Sequence, residues 1–239
     1  MDNRRGWKLA QIEFGEHWIS HLGPLEVHMD TLVTTWISMI LLILLALVIT
    51  RNLNRIPDGL QSFAEMVMEF VEGISIDQMG KEGCKHVALI ASLFLFILVG
   101  NLLGQLPWRI YHLQQGEFAS PTNDLNVTVG LALIVSAYYF IAGISKKGLR
   151  YFKHYLEPFW FLLPINMLED LTRPLTLSLR LFGNILAGEV IILIALAFVP
   201  LLAPIPVMLF ELFVAFLQAF IFTILSASYI GAVLAEHDH

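Results

Sequence analysis

Five polar side chains lie within long apolar stretches of this sequence: Arg180, Asn184, Glu189, Glu211 and Gln218. A guanidinium stays protonated at any physiological pH. An arginine at the centre of a bilayer costs about 2.5–3.5 kcal/mol even on lenient insertion scales, and such a residue usually faces a partner or a water-filled cavity. The pattern therefore predicts an ion path that is organised around Arg180.

The two glutamates are placed to form an acidic layer in a helical hairpin over residues 175–234. Prolines around Pro200 break the chain between two apolar stretches. Because Glu189 and Glu211 lie equally far from Pro200 on either side, an antiparallel hairpin brings them to the same depth. Two neighbouring carboxyl groups in a medium of low dielectric can take up and release protons near neutral pH.

The other polar residues predict a second layer, deeper in the same hairpin. At 100° per residue, Arg173, Thr176, Arg180 and Asn184 share one helical stripe, and Gln218 should reach the depth of Arg180. A fixed cation in this layer would repel a proton or a sodium ion. It would also favour the ionised form of any carboxyl group that a partner presents.

Composition places the chain among polytopic membrane proteins of one domain, residues 1–239. It is 57% hydrophobic and 14% charged, whereas soluble domains are about 25% charged. The single cysteine, Cys84, excludes a disulfide framework and a multi-cysteine metal site, and we predict neither a metal nor a cofactor. A net charge of −6 argues against a nucleic-acid partner. Residues 1–30 lack an apolar core and are predicted to be a polar N-terminal segment rather than a signal peptide.

The fold class predicted is all-α, with about five transmembrane helices of which the last two form a long hairpin. The predicted spans are residues 31–50, 86–106, 127–144, 175–198 and 207–234. Residues 56–74 have apolar side chains at helical spacing and three glutamates on other faces, which predicts an amphipathic helix on the membrane surface or against a partner. Residues 159–170 are expected to form a separate re-entrant or interfacial segment, because Pro164 interrupts them.

Each candidate also has an interpretation without ion transport. Arg180 could be a snorkelling residue near a helix end, and the two glutamates could be structural partners of arginines. Amides such as Asn184 and Gln218 often only hold helices together. Weaker candidates are Arg173, Thr176, Asn101, Asp124 and Asn126: Arg173 is better explained as an interfacial anchor, and helix capping explains Asp124 as well as an aqueous channel does.

Several runs of the sequence resemble subunit a of F-type ATP synthases, the stationary subunit beside the rotating c-ring. The most similar run is EDLTRPLTLSLRLFGNILAGEVI (169–191), which contains the SLRLFGN signature of that family. Other similar runs are FLFILVGNLLGQLP (94–107), SPTNDLNVTVGLAL (120–133), PINMLED (164–170) and LQAFIFTILSASYI (217–230). Details such as SPTNDLN and PIPVM resemble most the cyanobacterial and plastid branch.

The resemblance implies a mechanism with two offset aqueous half-channels that serve a carboxylate on each c subunit. Arg180 corresponds to the essential arginine of the family, which faces the ring, promotes deprotonation of the arriving carboxyl group and blocks a direct leak. Gln218 corresponds to the glutamine beside that arginine, and Asn184 to a polar residue just after it. The resemblance also implies that the helices after Pro158 are strongly tilted and wrap the ring.

For the acidic layer, the resemblance implies a half-channel on the outer side. Glu189 corresponds to the carboxylate of that channel. Glu211 falls where some bacterial members have histidine and plastid members have a small residue. Plastid members have an acid where this chain has Gly188, so the acid can have moved across the hairpin to Glu211.

These considerations predict an ion-translocating subunit, with the proton as the expected ion and no ATP chemistry of its own. No nucleotide-binding or hydrolase motif is present. Expected partners are the c-ring, the peripheral-stalk b subunits, other Fo and F1 subunits and the lipid of a bacterial plasma membrane or thylakoid. Lys and Arg counts place the N-terminus outside or lumenal and the C-terminus cytoplasmic or stromal. A stand-alone proton channel or secondary transporter, and a purely structural membrane scaffold, are the alternatives.

Overall fold

The computed structural model describes residues 19–22, 25–51, 53–105, 120–148, 161, 163–198 and 202–235. Two short antiparallel strands, β1 (Ile19–Leu22) and β2 (Leu25–His28), precede the helices. The helices are α1 (Met29–Thr50), α2 (Leu60–Met79), α3 (Val87–Gly104), α4 (Leu125–Lys147), α5 (Leu163–Phe198) and α6 (Pro204–Leu234). Two 3₁₀ turns, Gly80–Lys85 and Pro121–Asn123, lie before α3 and α4. The predicted polar segment 1–30 lies outside the described residues as far as residue 18.

Five of these helices, α1 and α3 to α6, are long and apolar enough to cross a bilayer. This confirms the predicted all-α polytopic architecture with five spans, to which the structure adds the short strand pair. The last two helices contain 36 and 31 residues, or about 54 and 46 Å at 1.5 Å per residue. A hydrocarbon core is about 30 Å thick, so both helices are much longer than an upright span requires.

Helix α1 packs through small polar side chains and leaves its apolar surface outside. Its buried residues are Asp30, Thr31, Thr34 and Ser38. The hydroxyl groups of Thr34 and Ser38 donate to the carbonyl groups of Asp30 and Thr34, at 3.0 and 2.9 Å, so these polar groups need no water. Trp36 and most of the leucines and isoleucines of α1 are exposed, as expected for a surface in contact with lipid or another subunit.

Helix α2 begins at Leu60, four residues later than the predicted start at residue 56. Gly59 precedes it with a φ of 52°, and Gly80 ends it with a φ of 64°, both in the region that favours glycine. The predicted apolar face is buried only in the second half of the helix, where Val71 and Ile74 join the core. In the first half, Phe63 and its apolar neighbours are exposed.

The prediction that residues 159–170 form a segment separate from the span 175–198 was wrong in the part that the structure describes. From Leu163 onward the chain is one helix, which runs through Pro174. Proline lacks an N–H, so the carbonyl group of Asp170 loses its helical partner. The hydroxyl group of Tyr139 on α4 donates to that carbonyl at 3.4 Å. A neighbouring helix therefore supplies a hydrogen-bond donor to the carbonyl group at the break, which is one way in which membrane helices tolerate proline.

The core lies where α3, α4, α5 and α6 meet, with the second half of α2 against one side. Its largest fully buried side chains include Phe94, Ile97, Tyr139, Leu181 and Phe222. Helix α6 presents small buried residues to its neighbours: Ala215, Ala219, Thr223, Ser226, Ala227 and Gly231. Small residues let helix backbones approach closely where no hydrophobic effect drives association. At Gly231 a methyl group would overlap with the carbonyl oxygen of Gln78 on α2.

A candidate ion path along the α5–α6 hairpin

Arg180 lies on the outer surface of the α5–α6 hairpin. Its side chain is exposed, and it makes no hydrogen bond or ion pair with any other residue that the structure describes. The exposed residues on the same strip of α5 are small: Thr176, Gly183 and Ala187. Small residues on a helix surface permit the close approach of another helix.

Two amides lie behind Arg180, between the helices. Asn184, one turn after Arg180, donates from Nδ2 to Oε1 of Gln218 on α6, at 3.4 Å. Gln218 is only 4% exposed, and its buried Nε2 has no hydrogen-bond partner among the described residues. A buried amide that lacks a partner is costly and suggests a missing water or ligand. The antiparallel hairpin therefore does bring the predicted amide layer together.

The two glutamates also meet at one depth. Glu211 lies close enough to Glu189 for the two charges to repel. Its carboxylate lies against Gly188, where a Cβ atom would overlap with Oε1 and come within 2.9 Å of Cδ. A side chain at position 188 would require the Glu211 carboxylate to move from this position. Oε1 of Glu211 is buried and has no hydrogen-bond partner in the described part of the chain.

Asn123, which the sequence analysis missed, holds the Glu189 carboxylate. Its Nδ2 donates to both carboxylate oxygens of Glu189, at 2.9 and 3.0 Å, across 66 residues of sequence. Asn123 ends the 3₁₀ turn before α4, and an asparagine in such a place is usually explained as a turn residue. The only hint in the sequence was its position inside the SPTNDLN run.

Asp124 caps α4, as one of its two predicted roles requires, and it also contacts a distant histidine. Oδ1 accepts the backbone N–H of Asn126 at 2.8 Å and so caps α4. Oδ2 lies 2.8 Å from Nδ1 of His28, at the end of β2. The side chain of Asn126 itself is exposed. We refer to His28, Asn123, Asp124, Glu189 and Glu211 as the acidic end.

Asn101 on α3 is hydrogen-bonded to the second 3₁₀ turn and to α6 rather than facing an open path. Its Oδ1 accepts the hydroxyl of Thr122 at 2.7 Å, and its Nδ2 donates to the carbonyl of Ala215 on α6 at 3.3 Å. The residue is 5% exposed. Asn101 thus fixes the 3₁₀ turn that presents Asn123, which is a positioning role for the acidic end.

Arg173, the other arginine of the predicted stripe, is fully engaged within the chain. It pairs with Glu169 at 2.6 Å and with Asp170 at 3.3 Å. Its guanidinium lies over the rings of Tyr139 and Tyr229, at 5.9 and 5.2 Å. These contacts join α5 to α4 and α6, a helix-joining role that the predicted interfacial anchor did not include. Thr176, on the same stripe, donates to a carbonyl of its own helix.

Lys146 lies at the end of α4 opposite the acidic end, where it connects α4 to the first 3₁₀ turn and to α6. Its Nζ lies 3.1 Å from Oε1 of Glu82 and donates to the carbonyl of Leu234, at 2.8 Å. The hydrogen bond from Lys146 lowers the pKa of the exposed Glu82 carboxyl group below its usual value. Within the described residues, no group of three or more His, Cys, Asp and Glu side chains is arranged to hold a metal ion.

Fold and site together define a polytopic membrane protein with charged and amide side chains inside an apolar helical hairpin. Residues 32–231 match the family model described as ATP synthase A chain. The match covers most of the chain, and the chain belongs to this family. It is therefore an integral membrane subunit of the Fo part of ATP synthase, takes part in ion translocation and is not itself the catalytic subunit.

Proposed function

We propose that this chain passes protons between the two sides of the membrane through two offset half-channels beside a rotating c-ring. The observation that carries the proposal is the exposed Arg180 on a strip of small residues, without an ionic partner in the described part of the chain. An intramembrane cation is expected to pair with an anion or to face water. A carboxylate on each passing c subunit would supply that anion.

The acidic end supports an entry path that leads toward Arg180 from one side. Glu189 and Glu211 lie together, and Glu211 and Asn123 both have buried oxygens without partners among the described residues. Water molecules in the hairpin would satisfy these atoms and connect them. Protons would move through this hydrated path to a c-ring carboxylate, with Gln218 and Asn184 lining its deeper part.

Arg180 would act as the gate between the two half-channels. Its positive charge favours the ionised form of a carboxyl group within about 4–6 Å, so an arriving c subunit would lose its proton there. The same charge repels a proton that would otherwise cross directly. A stand-alone channel or transporter would need its own carboxylate beside Arg180, and none of the described residues pairs with it. A scaffold would not need an exposed arginine on α5.

The outer surfaces of α1 and α2 are the proposed contacts for the peripheral-stalk b subunits and for lipid. Both expose apolar side chains, over nearly all of α1 and the first half of α2. We further propose that the whole of residues 1–239 acts as one domain in a bacterial plasma membrane or a thylakoid. In that arrangement the acidic end lies on the outer or lumenal side, and Lys146 on the cytoplasmic or stromal side.

The proposal is tested with Arg180→Ala in vesicles that carry the whole complex. ATP-driven proton pumping and passive proton leak are measured side by side, with Arg173→Ala as the matched control on the same helix. We expect Arg180→Ala to abolish pumping with leak unchanged or raised, while Arg173→Ala retains measurable pumping. Pumping that survives Arg180→Ala would contradict the gate and favour the scaffold.

A further inference from the structure

The contact between His28 and Asp124 joins the start of the first helix to the ion path. The two residues are 96 positions apart, and Nδ1 of His28 lies 2.8 Å from Oδ2 of Asp124. The histidine side chain is 29% exposed and the aspartate side chain 7% exposed. The titratable pair therefore has one member in contact with the surroundings and one that is nearly buried.

From Asp124 a series of polar groups leads to the α5–α6 hairpin. The next residue, Asn123, binds the Glu189 carboxylate with its side-chain amide, and Glu189 adjoins Glu211. The acidic end thus links His28, through Asp124 and Asn123, to the two glutamates of the α5–α6 hairpin. Histidine is the side chain whose ordinary charge change falls between pH 5 and 8, and it is a common proton shuttle.

We infer that His28 is a proton-relay residue at the mouth of the path, and that the segment leading into α1 therefore contributes a proton-carrying group to it. This inference rests on the proposed function. In one relay step the proton on Nδ1 of protonated His28 moves to Oδ2 of the Asp124 carboxylate, which leaves neutral imidazole and a neutral carboxyl group. His28 then takes a new proton from water on its side of the membrane, while Asp124 passes its proton inward through water.

The charged groups around His28 are consistent with a relay that loads protons. In the described part of the chain these are Asp124 at the start of α4, the buried Asp30 on the adjoining turn of α1, and Glu189 behind Asn123. Helix α3, against which α1 packs, carries no charged residue along Val87–Gly104. The neighbours named here are thus all acidic.

The alternative is that His28 only ties α1 to α4, and substitutions can separate the two roles. His28→Gln keeps a side chain that can donate a hydrogen bond to Asp124 but cannot titrate, whereas His28→Ala loses both properties. The matched control is His86→Ala on the opposite end of α3. His86 has the same kind of contact, with Nδ1 2.8 Å from the hydroxyl group of Tyr138, but lies far from the acidic end.

The measurement is the rate of ATP synthesis by the whole complex in liposomes, at constant driving force, as the pH on the His28 side is varied from about 5 to 8. We expect both His28 variants to lose about tenfold or more of the rate at the alkaline end of this range, within the usual contribution of a general acid. Imidazole on that side should restore the rate of His28→Ala. His86→Ala should show neither effect.

Two results would overturn the inference. One is a wild-type rate and pH profile for His28→Gln, which would reduce His28 to a tie; the other is a slow His28→Ala that imidazole does not restore. Glu189→Gln, measured in the same preparation, separates this failure from failure of the proposed function. If Glu189→Gln also synthesises ATP at the wild-type rate, the ion path itself is misplaced.

Discussion

Two arginines on the same helix, seven residues apart, have opposite surroundings. Arg173 is held by two carboxylates and lies over two tyrosine rings. Arg180 is exposed, with no ionic partner in the described part of the chain. An arginine that its own chain surrounds in this way stabilises the fold. One that is left exposed on an apolar helix is the basis of the proposal that its anion belongs to another subunit.

Lysine substitutions should give the largest difference in pumping between the two arginine positions. They preserve the charge and remove the planar guanidinium. Lysine is a compact, flexible and strongly hydrated charge that does not replace a bidentate arginine. We expect Arg180→Lys to lower ATP-driven pumping by more than about tenfold, the equivalent of 1.36 kcal/mol. Arg173→Lys should remain within about threefold of wild type, because exposed or partly exposed pairs contribute about 1 kcal/mol or less. Equal losses in the two variants would contradict the distinction.

The acidic end gives the next largest effect. Asn123→Ala removes both hydrogen bonds to the Glu189 carboxylate, and a hydrogen bond to a charged group is worth about 1.5–3 kcal/mol. We expect the rate of proton uptake from that side to fall severalfold, measured as initial pumping or synthesis rate in vesicles. The control is Asn126→Ala, because the Asn126 side chain is exposed and the α4 cap uses only its backbone N–H. A larger loss in Asn126→Ala would show that the path runs elsewhere.

For the thermal stability of the subunit in the complex, we expect substitution of Arg173 to have a larger effect than substitution of Arg180. Arg173→Ala removes the ion pairs with Glu169 and Asp170 and the contacts with two tyrosine rings, and should destabilise the subunit by about 1–2 kcal/mol. We expect the purified complex to release this subunit at a lower temperature in detergent. Arg180→Ala should lower that temperature less, since no hydrogen bond or ion pair within the described residues is lost. An equal decrease for both variants would mean that Arg180 has a structural role.

The smallest effect is expected at Lys146. Because Lys146 lowers the pKa of Glu82, their contact stabilises the protein above the ordinary glutamate range and is lost as the pH falls through the lowered pKa. The difference in unfolding temperature between pH 7 and pH 4 should therefore be slightly smaller in Lys146→Met than in wild type. An unchanged or larger difference would show that this ion pair does not contribute.

The sequence predicted the five spans and which polar residues meet within the hairpin, because span length and distance along the sequence from Pro200 determine them. It did not predict that α5 continues through Pro174. That continuity involves Tyr139, a residue of another helix. The hydroxyl group of Tyr139 donates to the carbonyl group of Asp170 in place of the missing N–H. The ion pair between Arg173 and Glu169 could be anticipated from their spacing of four residues on one helix. The contacts of Arg173 with Tyr139 and Tyr229 could not.

The acidic end was predictable only in part. Glu189 and Glu211 were visible because carboxylates are rare in apolar stretches. Asn123 and His28 were not, since each lies in a polar stretch where its residue type is ordinary, and their partners are 66 and 96 residues away. Polar groups at the ends of helices acquire a role only when the helices are packed together.

A disulfide cross-link tests most directly that the face of α5 bearing Arg180 contacts a rotor. Gly183 lies three residues after Arg180 on the exposed strip, and a Cβ atom there meets nothing within 4 Å of the chain. The single native cysteine, Cys84, is exposed and is first replaced by serine. Gly183→Cys is then oxidised in complexes whose c subunits carry a cysteine beside the carboxylate.

The control is Gly130→Cys on α4, where a Cβ atom also meets nothing within 4 Å. The account predicts that Gly183→Cys forms a disulfide with a c subunit, that the link stops ATP-driven pumping, and that reduction restores it. Gly130→Cys should remain unlinked. A Gly183→Cys complex that forms no link, or that pumps normally while linked, would contradict the claim that Arg180 faces the ring.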